Sequence, residues 1–373
     1  MIPDECKLER FFSRYEFDVQ HVLGGSDVEG YALADLLELA DPESLKLWQN
    51  LHLGYTETAG HPALREAICG RYAHLAPDNV VVCAGATESL FLLSNALLGP
   101  GTHAVVVWPA FDALYKVAAA TGAQVSMVAL DAADGWSLDL AALQAAVRED
   151  TRAIFINYPH NPTGALLGRE QFLSLMDFAE SRGITVVSDE VYRFLEFDPA
   201  ARLPAAVEVN ERAASVGVMS KPYGLAGLRI GWVASQDADL LRRLLTIKDY
   251  TSVCGSAPSE ILSLIALRAA EAVVQRCKQI VLDNLVHVEA LMRRWSDVLE
   301  WVPPQGGTVA FPRLKLATPV EEFVDMLVRQ ESVLLLPGSV FDDTENRFRI
   351  GLGRRSAPEA LARLDDFLTR TLG

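Results

Sequence analysis

Residues 218–232 read VMSKPYGLAGLRIGW. Lys221 stands between Ser220 and a Pro-Tyr-Gly turn, and Arg229 opens the apolar run that follows. The chain carries a formal charge of −16, so two cations in one of its least polar stretches need a reason. A solvated lysine gains nothing from such a setting. A lysine that must shed its proton and react does, because burial favours the neutral amine.

Outward from this stretch, short β-branched runs alternate with amphipathic ones from about Asn79 to Lys248. VVVCAG precedes TESLFLLSNALL, HAVVVW precedes FDALYKVAAATG, and RAIFINY precedes REQFLSLMDFAESRG. ITVVSD, ASVGVMS and LRIGWVAS then follow. Apolar strands alternating with helices predict a mostly parallel sheet covered on both faces, hence an α/β fold. One long helix is expected over about 259–294, able to bridge two domains. Beyond it, GGTVAFPRL, SVLLLPG and RFRIGLG alternate with helical stretches at 319–330 and 357–371, which reads as a smaller α+β domain. The expected division is 1–45 as a segment joining the small domain, 46–285 as the large domain and 286–373 as the small one.

Composition narrows the function. The 373 residues are 50% hydrophobic, enough for a large buried core. No run of eighteen apolar residues occurs, so no membrane span is expected. The start MIPDECKLERFF is charged and lacks an apolar signal core, so export is not expected. Five dispersed cysteines without a CxxC pair suit a reducing cytoplasm. With 49 acidic against 33 basic residues, nucleic acid is a poor partner. The seven histidines show no HExxH or paired spacing, so no metal site is expected.

Several unusual residues follow the carboxyl ends of the expected strands, where open α/β sheets bind ligands. Ala86 and Thr87 open a helix and could cradle an anion, or form an ordinary Gly turn with Thr as N-cap. Asp189 ends an apolar strand and needs a cation, which a protonated pyridine or a structural salt bridge would supply. Asn161 could donate to a phenolate oxygen or hold its own Asn-Pro turn. Lys221 could form a Schiff base with an aldehyde, or simply be solvated. Ser220 and Arg229 could hold a phosphate, or be a turn serine and a strand-edge ion pair. Together, in this order and on one edge, they describe a pyridoxal-phosphate site.

GYTETAGHPALREAI, CAGATES, WPAFDALY, NYPHNPTGA, SDEVYRF, SKPYGLAGLRIGW, QGGTVAF, LLLPGSVF and RFRIGLG run through nearly the full length. With these motifs the chain resembles the class I/II aminotransferases, pyridoxal-phosphate enzymes of fold type I. The resemblance implies a mostly parallel seven-stranded sheet in a three-layer large domain plus a smaller α+β domain. It implies pyridoxal 5'-phosphate as cofactor, with Lys221 as Schiff-base lysine and proton shuttle. Asp189 would pair with the pyridine nitrogen, and Asn161 and Tyr192 with the phenolate oxygen. Phe111 would stack on the ring, while Ala86, Thr87, Ser220 and Arg229 would hold the phosphate. Tyr55 would reach the phosphate of a neighbouring subunit, which makes a homodimer with shared sites. Arg349 would clamp the substrate α-carboxylate, its alternative being a surface ion pair beside Arg347. Gly25, in GGSDVEGYALADL, falls on the substrate side.

One position departs: the family often has a second serine where this chain has Val218, so one phosphate hydroxyl is missing. A narrower similarity, carried by NYPHNPTGA, IKDYTSV and PPQGGTVAFPR, is to capreomycidine synthase, a member that cyclises an arginine derivative. Asp27 and Glu29 would suit a cationic side chain there, or belong to a solvated loop. Amino-acid and 2-oxo-acid substrates are thus expected, with elimination, decarboxylation or cyclisation on the same cofactor as alternatives. A ligand sensor would need a basic helix-turn-helix segment, which the acidic chain does not show. GLAGLRIG is not the GxGxxG of nicotinamide enzymes.

Overall fold

The computed structural model describes residues 2–372. Seven strands build the main sheet: β1 (Val80–Cys83), β2 (His103–Trp108), β3 (Gln124–Ala129), β4 (Thr151–Asn157), β5 (Thr185–Asp189), β6 (Ala214–Val218) and β7 (Gly231–Ser235). Their order is β1-β7-β6-β5-β4-β2-β3. Every pairing is parallel except the two that flank β7. Strands β1, β5, β6 and β7 are buried along their whole length, which explains their near-continuous apolar sequences.

Strand β3 is absent from the sequence reading. It lies at the sheet edge and is mostly exposed, so its QVSMVA sequence carries polar residues where a central strand would be apolar. A second difference concerns the long helix. It is two helices, Ala257–Arg268 and Ala270–Arg294, broken at Ala269. Asn284 of the second donates to the carbonyls of Leu352 and Arg354, at 2.9 and 2.8 Å, and so ties it to the C-terminal part.

The C-terminal elements form short pairings of their own: Val309–Ala310 and Leu336–Pro337 flank Phe348–Gly351. His21–Val22 pairs in parallel with Val333–Leu334, so the N-terminal segment joins this part. On these pairings we propose the division 1–45, 46–285 and 286–373. The segment before His21 includes helix α1 (Lys7–Tyr15), whose Leu8 and Phe12 are buried. Two further helices matter for the site: α2 (Ala86–Leu97), entered from β1, and α3 (Asp112–Ala120), entered from β2.

Gly217 on β6 faces Trp232 on β7, and a Cβ there would stand well inside van der Waals contact of two indole carbons. The indole N–H donates to the Tyr72 hydroxyl at 2.8 Å, so the ring cannot easily turn away. Gly217→Ala should therefore destabilise the protein by about 1–3 kcal/mol through overpacking. Urea unfolding followed by tryptophan fluorescence checks this; an unchanged midpoint would mean that the sheet relaxes freely here.

Candidate active site

A cavity of about 210 Å³ opens where the strands end. It is lined by Ala86, Thr87, Phe111, Asn161, Asp189, Tyr192, Ser220, Lys221, Arg229 and Arg349, and also by Leu8, Glu9, Ser26 and Asn157. Ten of the twelve residues expected from the sequence thus share one space. Gly25 and Tyr55 are not in its lining.

The phosphate end is built by a turn. Gly85 caps α2 with φ +86°, a conformation that favours glycine, so the expected N-cap role of Thr87 is corrected: Thr87 is the second residue of the helix. The first-turn N–H groups of α2 have no intrahelical acceptor and point to an anion site. A Cβ on Gly85 would stand 2.5 Å from Arg229 Nη2, so only glycine lets that guanidinium reach the helix start. Arg229 itself has φ +53° and donates to the Ala226 carbonyl at 3.2 Å.

At the centre, Asp189 is buried, and among the described residues the only hydrogen bond to its carboxylate is a long one, 3.3 Å from the Val191 N–H. Burial pushes its pKa up to about 7, partly offset by that bond and by the nearby Lys221. Lys221 lies three residues beyond the end of β6, and its Nζ donates to Ser26 Oγ at 2.9 Å. Burial lowers its pKa to about 8, with Asp27 acting in the opposite sense. Tyr192 is buried and its hydroxyl makes no well-formed hydrogen bond, with the side chains of Ser26 and Thr308 close by.

Arg349 is 1% exposed, which removes the surface ion-pair alternative; Arg347 pairs instead with Asp343 at 2.7 Å. Its Nε and Nη2 donate to the Gly24 carbonyl at 3.0 and 2.9 Å, and its Nη1 donates to Asn161 Oδ1 at 3.0 Å. A guanidinium has five N–H donors, so one on each terminal nitrogen remains, a fork fit for a carboxylate. Gly25 is buried between Gly24 and Ser26, against Gly351. Asn157 accepts from the Asn161 N–H at 2.9 Å and donates to the Asp189 carbonyl at 2.8 Å, locking two site residues together.

Seven further lining residues carry no expectation from the sequence: Leu8, Glu9, Ser26, Leu90, Asn157, Val191 and Ala226. Asn157 is marked in the sequence only as the residue that ends β4 and opens NYPHNPTGA, with no role attached, and Ser26 directly precedes Asp27. Leu8 and Glu9 carry no motif and enter through the docking of α1. The two acids weighed earlier are already engaged: Asp27 pairs with Arg354 at 2.7 Å, and Glu29 accepts from the Arg355 N–H at 3.2 Å. Tyr55 is 93% exposed, on a surface shared with Leu53 and Cys254.

Comparison with known proteins agrees with this geometry. The sequence model described as Aminotransferase class I and II matches residues 40–364, and the chain belongs to that family. It is 30% identical to capreomycidine synthase of Streptomyces vinaceus over 357 residues, covering 92% of this chain and 88% of that protein. It is 26% identical to aspartate aminotransferase of Geobacillus stearothermophilus over 81% of this chain and 80% of the other. A pyridoxal-phosphate-dependent aminotransferase from Streptococcus suis superposes with TM-score 0.93 at 27% identity, covering 99% of each chain. The pyridoxal-phosphate-dependent cyclase OrfR superposes with TM-score 0.90 at 27% identity over 100% of this chain and 98% of the other.

The protein is therefore a fold type I enzyme dependent on pyridoxal 5'-phosphate. The residues present fit that group: the Gly85 cradle faces Arg229, and Tyr192 and Asp189 lack the partners that a phenolate oxygen and a protonated ring nitrogen would supply. Among the described residues no helix is long and apolar enough to cross a membrane, and no cluster of His, Cys, Asp and Glu could hold a metal ion.

The Asp189 shift has a consequence for stability. Its folded pKa of about 7 lies above the unfolded value of about 3.9, so its contribution is fully present below about pH 4 and is lost as pH rises through about 7. Denaturant melts of cofactor-free wild type and Asp189→Asn at pH of about 5 and about 8 isolate it. The wild type should lose on the order of a few kcal/mol relative to the variant between the two. Parallel profiles would show that Asp189 is already compensated.

Proposed function

We propose that the protein is an aminotransferase that moves an amino group from an α-amino acid to a 2-oxo acid. The observation that carries this reading is the shared cavity of Lys221, Asp189 and Arg349, the carboxylate and the guanidinium buried without an ion pair between them and the lysine half-buried beside them. When bound, the cofactor supplies a carbonyl carbon for amine exchange and a protonated ring that draws electrons from the substrate Cα. Lys221 is the group that links to it and then moves the Cα proton. Its depressed pKa leaves a usable fraction of neutral amine near neutral pH.

Asp189 keeps the ring nitrogen protonated, and that cation in turn holds the carboxylate ionised. Asn161 and Tyr192 hold the phenolate oxygen, Phe111 stacks on the ring, and Ala86, Thr87, Ser220 and Arg229 hold the phosphate. Arg349 fixes the α-carboxylate, with Gly25 on the same side, so the Cα–H bond is the one left to break. Tyr55 completes the phosphate site of a second subunit, so the working unit is a homodimer. The five free cysteines suit a reducing cytoplasm.

The similarity to capreomycidine synthase and to a cyclase supports a second reading, elimination or cyclisation of an amino acid by the same residues. A single-turnover experiment separates the two. Cofactor-loaded protein is mixed with a panel of amino acids, and the products are measured. Transamination predicts one 2-oxo acid released per site, with the amino group retained on the cofactor. Ammonia or a cyclic product with unchanged cofactor would contradict it.

Two variants test the assigned roles. Arg349→Lys loses the fork, at about 1.5–3 kcal/mol per charged hydrogen bond, so kcat/KM should fall about a hundredfold while cofactor absorption persists. An effect under about threefold would remove Arg349 from the carboxylate site. Lys221→Ala and Tyr55→Glu should each be inactive alone. Mixed one to one, they form heterodimers with one intact site, restoring about a quarter of wild-type activity. No recovery despite exchange of subunits would place Tyr55 outside a shared site.

A further inference from the structure

Once the phosphate, ring and carboxylate groups are assigned, the one charged side chain left in the cavity lining is Glu9. It is supplied by α1 next to Leu8, which is buried in the same wall. The helix is fixed at this place. The Lys7 N–H donates to Asp112 Oδ2 at 2.9 Å, Lys116 Nζ to the Glu5 carbonyl at 2.8 Å, and the Lys7 ammonium pairs with Asp342. Asp112 directly follows Phe111, so the helix that carries Glu9 is tied to the start of α3, beside the ring-stacking position.

Glu9 makes no ion pair among the described residues, whereas Asp27 nearby is taken by Arg354. Acids act together near this wall: Glu16 is raised chiefly by burial, with Asp27 and Glu9 adding to it and Arg354 opposing. Both acids also act on the buried Arg349 guanidinium. The unpartnered, buried Tyr192 hydroxyl lies in the same cavity, which marks it as ligand space rather than a solvated notch.

An amino acid with its α-carboxylate on Arg349 extends its side chain toward whatever wall remains. A second carboxylate would meet Glu9 there, and the only other arginine of the lining, Arg229, stands at the phosphate end. A guanidinium or ammonium would pair with Glu9 and lay its methylenes along Leu8. We infer that Glu9 makes the protein select α-amino acids whose side chain ends in a positive charge and reject dicarboxylates. This rests on the amino-acid chemistry proposed above. It sets the chain apart from the aspartate aminotransferases that it resembles in sequence.

The test uses full-length, cofactor-free protein and calorimetric titration with stable, reduced phosphopyridoxyl conjugates of arginine, citrulline and aspartate. Citrulline is the neutral isostere of arginine, so their difference reads the charge alone. Wild type should bind the arginine conjugate about three- to fivefold tighter than the citrulline conjugate, and the aspartate conjugate weakest. Glu9→Gln should level arginine and citrulline, leaving citrulline within about twofold of wild type. Glu9→Lys should invert the order in favour of aspartate. Glu9 is exposed on the rim, so neither change threatens the fold. The same inversion should appear in kcat/KM of the cofactor-loaded variants for the free amino acids. Equal binding of all three conjugates by wild type, or discrimination that survives in Glu9→Gln, overturns the assignment while the cofactor site stands. No binding by any conjugate overturns both.

Discussion

Asp189, Lys221 and Arg349 come from different parts of the chain and share one cavity, and the rest of the molecule is arranged around that fact. Each is moved toward its neutral form by burial: the carboxyl upward to about 7, the amine downward to about 8 and the guanidinium downward to about 10. A ligand that brings a positive nitrogen to Asp189 and a carboxylate to Arg349 reverses those shifts. Binding energy is then spent where the free protein is strained, and ligand and fold stabilise one another.

The architecture explains how three such groups meet. Parallel strands β5 and β6 end at the same edge, delivering Asp189 and, after a short turn, Lys221. Arg349 arrives from the C-terminal part, and its carbonyl acceptor, Gly24, from the N-terminal segment. That segment is held in turn by the pairing of His21–Val22 with Val333–Leu334. Ser26 then touches Lys221, while Thr308 donates to the Ser26 carbonyl at 2.7 Å. The site is thus closed by contacts between segments some three hundred residues apart, among them the backbone bonds from the Gly24 N–H to the Leu334 carbonyl and from the Gly351 N–H to the Leu23 carbonyl.

How much of this was legible in the sequence follows from the same physics. Buried strands read as apolar runs and were found; edge strand β3, half in water, did not. Residues whose chemistry needs a fixed local turn, such as Asn161, Asp189 and Lys221, left motifs and fell into the cavity. Asn157 left no signal of its own, since its task is to bond Asn161 and Asp189, which only the folded edge brings together. Glu9 and Leu8 were invisible for a different reason. Their place depends on where α1 docks, and that is set by Asp112 and Asp342, more than a hundred residues away. Asp27 and Glu29 drew attention as acids in the right segment, yet both are engaged by the chain, Asp27 by the Arg354 guanidinium and Glu29 by the Arg355 N–H.

The central claim is that one lysine of the cavity, Lys221, carries the cofactor. Borohydride reduction of the cofactor-loaded protein, followed by peptide mapping, tests it most directly, because reduction freezes the carbon–nitrogen link wherever it stands. The structure predicts one phosphopyridoxyl group per chain, on the peptide containing Lys221, and none in Lys221→Ala. Label spread over exposed lysines, or equal labelling in the variant, would contradict the account at its base.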